Sequence, residues 1–248
     1  SNSFICLSDP ITLMKACKNN AEINGSRKAH LVDGIALTKF IHWLENEIDG
    51  TKNNHTEISL ARKLLHFRKR NKDFKGLSFG TISSLGSNGA VIHYQPEKET
   101  DKYLSDNDIY LLDSGGQYKF GTTDVTRTIL NKRDKKPKDF NEISNNYTLV
   151  LKGHIAVARS HFKKGETGKN LDSKARKFLI KNGLNYDHGT GHGVGSYLGV
   201  HEGPQSISPK SSAPLLEGMI ISNEPGYYKP GHYGCLLYTS DAADDKCS

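Results

Sequence analysis

Cysteine is scarce and poorly spaced for pairing. The four cysteines, Cys6, Cys17, Cys235 and Cys247, lie far apart and form no C-x-x-C pair. This excludes a disulfide scaffold and a zinc ribbon and favours a reducing compartment, so a cytoplasmic location is expected. Long apolar runs are also missing. Stretches such as Leu111–Leu112 and Met219–Ile221 are a few residues long, against the ~20 that cross a bilayer. No apolar segment follows a basic start, so no secretory leader is expected. Charge of one sign is not in great excess: 34 Lys+Arg against 27 Asp+Glu leave +7. The lysines are scattered or sit in solvated runs such as residues 132–136. No interleaved aromatics accompany them, so neither nucleic acid nor membrane is expected as a partner. The 24 glycines have no three-residue period, which excludes collagen. An apolar share of 35% with modest net charge excludes a disordered chain. At 248 residues one large domain, or one with an appendage, is expected. The chain begins with Ser1 and is expected to be part of something longer.

The first quarter reads as helix. Ser8-Asp9-Pro10 offers a cap followed by an N1 proline. From Asn19 to Ile48 apolar residues recur at three- and four-residue steps: Ile23, Ala29, Leu31, Ile35, Leu37, Phe40, Ile41, Leu44, Ile48. That spacing predicts an amphipathic helix, ended by Asp49-Gly50. A second helix is predicted from a Thr56 cap to about Asn71. The texture then changes to short β-like runs: Leu77–Ser83, Ala90–His93, Ile109–Asp113, Gln117–Phe120 and Asp124–Leu130. Ser114-Gly115-Gly116 marks a turn. Helices return over 138–162 and 168–182, followed by short strands among glycine-rich loops. Runs of strands beside runs of helices predict an α+β fold, with helices on one face of an antiparallel sheet.

Four segments carry chemistry. Asp113 ends an apolar strand and Asp124 begins another a hairpin later. Aspartate is disfavoured inside strands, and two facing each other repel unless a cation or proton lies between them. Read alone, they are also two strand-end turn residues. In Asp187-His188-Gly-Thr-Gly-His192-Gly-Val-Gly195 the histidines are four apart, but the alternating glycines exclude a stable helix. One imidazole as metal ligand and one as neighbour is the favoured division, against a glycine turn with hydrogen-bonded histidines. Val200-His201-Glu202-Gly203-Pro204 says little by itself. Glu224 follows an apolar strand before Pro225-Gly226, where a carboxylate wants a cation. Taken together, two Asp, one Glu and one imidazole suit Mn²⁺, Co²⁺ or Zn²⁺ better than a thiolate site. Several carboxylates can also bridge two ions, as in two-metal hydrolases.

These segments resemble the pita-bread metallopeptidases, and most closely the Xaa-Pro aminopeptidases. The string from His188 to Pro204 carries most of the likeness, with the Asp113…Asp124 hairpin and Asn223-Glu224-Pro225-Gly226-Tyr227-Tyr228 agreeing in order. The likeness runs from about Asp9 to Gly234 and includes Leu13–Asn19. It implies a curved, mostly antiparallel sheet with helices on its outer face. It implies two divalent ions, manganese first, with cobalt or zinc as alternatives. Asp113 would hold one ion, Asp124 would bridge, His192 would hold the other, and Glu224 would be a further carboxylate ligand. His93, His188 and His201 would line the substrate pocket, and His201 would hydrogen-bond the scissile carbonyl or pass protons. The implied substrate is a peptide with proline at its second position, and the full-length protein is implied to be a homodimer.

One departure stands out. The resemblance calls for an Ile-Arg-Ile-Glu-like strand after Gly234, ending in a fifth, bridging ligand that also takes the proton of the attacking water. The chain instead reads Cys235-Leu-Leu-Tyr-Thr-Ser-Asp-Ala-Ala-Asp-Asp-Lys-Cys-Ser248, which resembles a translated sequencing adaptor and contains no Glu. The expected organisation is therefore residues 1–8 as the end of a preceding region, 9–234 as a C-terminally truncated catalytic domain, and 235–248 as a non-native tail. Asp241, Asp244 and Asp245 are the acids left to substitute, without spacing that favours them. Weakened metal binding and little turnover follow. The alternatives are a prolidase-like dipeptidase and a non-catalytic module that binds peptides.

Overall fold

The computed structural model describes residues 9–47, 55–105, 108–131 and 137–242. Expectations for 1–8, for Asp49-Gly50, and for Asp244 and Asp245 lie outside the described residues. Helix α1 (Pro10–Ala16) starts as its sequence dictates, with the Asp9 side chain accepting from the Ile11 amide and Pro10 in the first turn. Helix α2 (Asn20–Glu47) and helix α3 (Glu57–Lys69) follow. A capping box between Thr56 and Ser59 opens α3.

The strands are short. They are β1 (Phe74–Leu77), β2 (Ile82–Leu85), β3 (Ile109–Ser114), β4 (Gly116–Tyr118), β5 (Gly121–Thr122) and β6 (Val125–Leu130). Helices α4 (Phe140–Ala158) and α5 (Gly168–Ile180) intervene before β7 (Gly191–His192), β8 (Ser206–Ile207), β9 (Ile220–Asn223), β10 (Gly226–Lys229), β11 (Tyr233–Leu236) and β12 (Thr239–Ala242). The strand ladders are antiparallel: β2-β3-β6, β1-β4-β5, β7-β8, β12-β9 and β10-β11. A bridge between Gly193 and Ile221 joins the glycine string to β9.

Strand β3 organises the molecule through its period of two. Tyr110 and Leu112 point into a core with Leu37, Phe40, Leu44, Leu60 and Leu64 of α2 and α3. Leu111 faces the other way, beside Ile82, Tyr94 and Leu236, and Asp113 shares that face. A further core seats α4 and α5 against β11 through Leu149, Val150, Leu179, Cys235 and Leu237. Among the described residues Cys17 and Cys235 are free thiols.

Several sequence expectations change in the fold. Ala90–His93 is not a strand. Gly86–Ala90 forms a 3-10 turn, and His93 follows with φ 59°, a left-handed backbone that a strand excludes. The run Leu77–Ser83 divides between β1 and β2. On α2, Leu31 and Ile35 point to solvent, while Asp33, Ala36 and Trp43 face inward. Buried Asp33 reaches Arg68 of α3, an attraction the apolar stripe does not register. Strand β11 continues through Gly234, Cys235–Tyr238 are buried, and β12 pairs with β9.

Candidate active site

The β2-β3-β6 ladder brings the two aspartates together. Asp113 on β3 faces Thr126 on β6, and Val125 faces Ser114, so Asp124 lies one residue beyond that pairing. Both carboxylates are buried, and each has an Oδ1 with no hydrogen-bond partner. Burial pushes the Asp113 carboxyl up, and the charge of Glu224 adds to the shift. Burial likewise raises Asp124, reinforced by Asp113 and then Glu224. Three crowded acids in a poorly hydrated place thus favour taking up protons or a cation.

His192 enters from the glycine string. A Cβ at Gly191 would lie 2.0 Å from the Ser222 carbonyl oxygen, and one at Gly193 would lie 2.0 Å from that of Glu202. Only glycine lets this backbone pass so close to β9 and to the loop that leads into β8. The His192 ring is oriented through Nδ1, which donates to the Gly193 carbonyl at 3.0 Å. Nε2 is thereby aimed at the acids, 3.1 Å from Glu224 Oε1 and 3.6 Å from Asp124 Oδ2. Burial alone would lower the pKa of His192, but the Glu224 hydrogen bond and charge outweigh it and raise it. Ser222 Oγ accepts from the His192 amide at 2.7 Å and donates to Glu224 Oε1 at 2.8 Å.

The remaining candidates surround this centre. The His201 ring is 4.1 Å from His192, centroid to centroid, and burial followed by the charge of His192 lowers its pKa. His188 Nδ1 donates to the Gly189 carbonyl at 2.8 Å, so Nε2 accepts from the Tyr228 hydroxyl at 2.9 Å. Burial lowers the pKa of His188, in keeping with that neutral tautomer. One cavity of about 610 Å³ is lined by Asp113, Asp124, His192, Glu224, His93, His188 and His201. All seven residues singled out from the sequence therefore share it. Ile82, Val91, Leu111 and Leu236 supply its apolar wall.

Tyr238 was missed. Its hydroxyl hydrogen-bonds the Asp124 carboxylate, its ring is 6.2 Å from that of His192, and it is buried. The signal lay in the resemblance and not in the residues themselves: counting the implied Ile-Arg-Ile-Glu onward from Gly234 puts its acid at position 238, where this chain has Tyr238. The Asp241 backbone pairs with Ile221.

The donor set fits a hard or borderline divalent cation. Two buried, unpartnered carboxylate oxygens and an imidazole oriented by a backbone carbonyl are what such a group requires. Among the described residues, however, no three His, Cys, Asp or Glu side chains are already gathered as a group that could hold an ion. The close contacts are the pairwise ones of His192 with Glu224 and Asp124.

A curved antiparallel architecture with this pocket has counterparts among solved structures. The X-prolyl aminopeptidase of Caenorhabditis elegans, described as a cytosolic enzyme with a dinuclear active site, superposes with a TM-score of 0.87 at 43% identity, over 95% of this chain and 37% of that one. The prolidase of Pyrococcus furiosus gives 0.79 at 30% identity, over 94% and 64%. These likenesses define the class: an α+β pita-bread fold, as the sequence implied. The profile of metallopeptidase family M24 matches residues 24–239, and the chain belongs to that family. Curated relatives agree. A protein of Phaeosphaeria nodorum named "Probable Xaa-Pro aminopeptidase P" is 50% identical over 231 residues, 92% of this chain and 35% of its own length. One of the same name from Arthroderma otae is 48% identical, over 92% and 36%. The chain thus spans little more than a third of the curated relatives it matches.

Proposed function

We propose that this chain is the catalytic portion of an Xaa-Pro aminopeptidase, which hydrolyses the bond between a peptide's first residue and a following proline. The observation that carries this reading is the approach of His192 to Glu224 and Asp124, at 3.1 and 3.6 Å, beside the unpartnered oxygens of Asp113 and Asp124. Asp113, Asp124, His192 and Glu224 would hold two divalent cations, with manganese preferred. Cations held there would supply a water of lowered pKa as nucleophile and would polarise the scissile carbonyl.

The chain's own residues do the rest. His201, kept neutral by burial, donates an N–H to the carbonyl oxygen as negative charge develops there. His93, with Ile82, Leu111 and Leu236, offers a flat apolar wall for the proline ring. His188, tied to Tyr228, closes the pocket beside the acids. The carboxylates of Asp113 and Asp124 place the peptide's free amino group. Tyr238 stands where a carboxylate would take the water's proton, and a phenol already hydrogen-bonded to Asp124 is a poor base. Weak metal binding and little turnover are therefore expected of this sequence, with 235–248 proposed as a non-native tail. The full-length protein is proposed to be cytosolic, in line with the description of the nematode enzyme, and homodimeric. No helix among the described residues is long and apolar enough to cross a membrane.

The test uses the chain extended past Gly234 with the gene's own frame, loaded with Mn²⁺. Release of the first residue from X-Pro peptides of three or more residues supports the reading. Cleavage restricted to X-Pro dipeptides marks a prolidase, and peptide binding without cleavage marks a non-catalytic module.

A further inference from the structure

The glycines that let the segment 188–193 run close to β9 also leave it without stiffness of its own, so its position must be imposed from outside. The source is a saturated charged pair on α5. Arg176 Nε donates to Asp172 Oδ2 at 2.8 Å. Nη1 donates to the Tyr186 carbonyl at 2.6 Å and to Asn185 Oδ1 at 2.9 Å, and Nη2 to the His188 carbonyl at 2.7 Å. The guanidinium lies 3.9 Å from the centroid of the Tyr186 ring. Asp172 Oδ1 accepts from the Thr190 hydroxyl at 2.7 Å, and that hydroxyl accepts from the Tyr186 phenol.

Thr190 is the junction. Its carbonyl accepts the Glu224 amide at 2.8 Å, and His192 lies two residues further on. Ser222 then joins the His192 amide to the Glu224 carboxylate. The chain of contacts from α5 thus ends on both members of the imidazole–carboxylate pair. Neither Asp172 nor Arg176 lines the cavity, and both are buried. A buried ion pair is often no more stabilising than well-packed apolar side chains. This pair also fixes two carbonyls and a hydroxyl in a glycine-rich loop, which apolar residues cannot do.

We propose that Asp172 and Arg176 are positioning residues, which act through Thr190 to set the separation of His192 and Glu224 and hence the affinity of the site for a divalent cation. The inference rests on the metal-holding reading above. The test measures the Mn²⁺ dissociation constant of the chain by electron paramagnetic resonance of free Mn²⁺, with thermal melting followed in parallel. Thr190→Val keeps the side-chain volume and removes the hydroxyl; Thr190→Ser keeps the hydroxyl. The expected result is binding about tenfold or more weaker for Thr190→Val, with Thr190→Ser within about twofold of the unaltered chain. Arg176→Lys keeps the charge and loses the reach to both carbonyls; it should weaken binding likewise and serves if Thr190→Val does not fold. A merely structural role would lower the melting temperature and leave the dissociation constant of the folded protein unchanged, which overturns the proposal. Where the unaltered chain binds too weakly to measure, the same variants are compared in the Tyr238→Glu background; absence of Mn²⁺ binding in both backgrounds overturns the metal-holding reading itself, a result distinct from unequal or equal binding among variants.

Discussion

The hydroxyl of Tyr238 hydrogen-bonds the carboxylate of Asp124. Tyr238 immediately precedes Thr239, which pairs with Asn223, so it sits across from Glu224 at the end of the β9-β12 ladder. A neutral phenol thus occupies the edge of a cluster that otherwise contains three acids and an imidazole, and it gives one of those acids a hydrogen bond without adding charge.

Replacing that phenol should change the metal count. Tyr238→Glu adds a fourth carboxylate where burial and charge already disfavour ionised acids, so alone it should raise the cluster's proton uptake. With Mn²⁺ present it should raise tightly held metal towards two ions per chain. Metal analysis after gel filtration checks this. Two ions held tightly by the unaltered chain would contradict the impairment proposed for it.

Removing a donor should act in the opposite direction. Glu224→Gln keeps the shape and the Ser222 contact but loses the charge that attracts His192. His192→Ala loses the oriented nitrogen. Each should weaken Mn²⁺ binding by an order of magnitude or more, about 1.4 kcal/mol per tenfold, as read by calorimetric titration. Retention of full affinity by both variants would show that the cation is held elsewhere.

The glycine string should not tolerate a methyl group. A Cβ at position 191 meets the Ser222 carbonyl oxygen at 2.0 Å, and backbone cannot yield as a flexible side chain does. Gly191→Ala should therefore part the string from β9 and cost metal affinity together with thermal stability. Gly183→Ala is the informative contrast. Nothing lies near its Cβ, but its φ of 71° is left-handed, so it should cost only about 1–2 kcal/mol of stability and leave Mn²⁺ binding intact.

Acid should expose a separate ion pair. Asp33 and Arg68 are both buried and joined by bonds of 2.7 and 2.8 Å, and Tyr118 donates to Asp33 at 2.7 Å. Burial alone would raise the Asp33 pKa, but the charge and hydrogen bonds of Arg68 outweigh it and hold it below the usual carboxylate range. A depressed folded value means that the stabilisation is complete above the unfolded-chain value of about 3.9. It is lost as pH falls through the lower folded value. Arg68→Met leaves a buried, unpaired carboxylate and should cost about 3–5 kcal/mol at neutral pH, with a smaller loss in acid, where Asp33 can protonate. Urea unfolding at several pH values measures both effects.

Much of this was legible in the residues. The caps at Asp9 and Thr56 were readable because capping is local: a side-chain oxygen meets an amide two or three residues away. Asp113, Asp124, His192 and Glu224 stood out because acids and histidines among apolar and glycine residues contradict local propensity. The exposed Leu31 and Ile35 show the limit of periodicity on a long helix, where the buried face also depends on a partner such as Arg68. His93 shows it again, since Ala90–His93 has strand-like composition but takes a left-handed turn.

The order of residues alone determined which chemistry was available: three carboxylates and several imidazoles at strand ends, with glycine wherever backbone had to approach backbone. Only the tertiary structure decided that Thr190 joins α5 to Glu224, that Arg176 holds the glycine string, and that Tyr238 meets Asp124. Those contacts join residues from 10 to more than 100 positions apart in the chain. Their formation depends on strand register and helix packing, which short-range spacing does not encode.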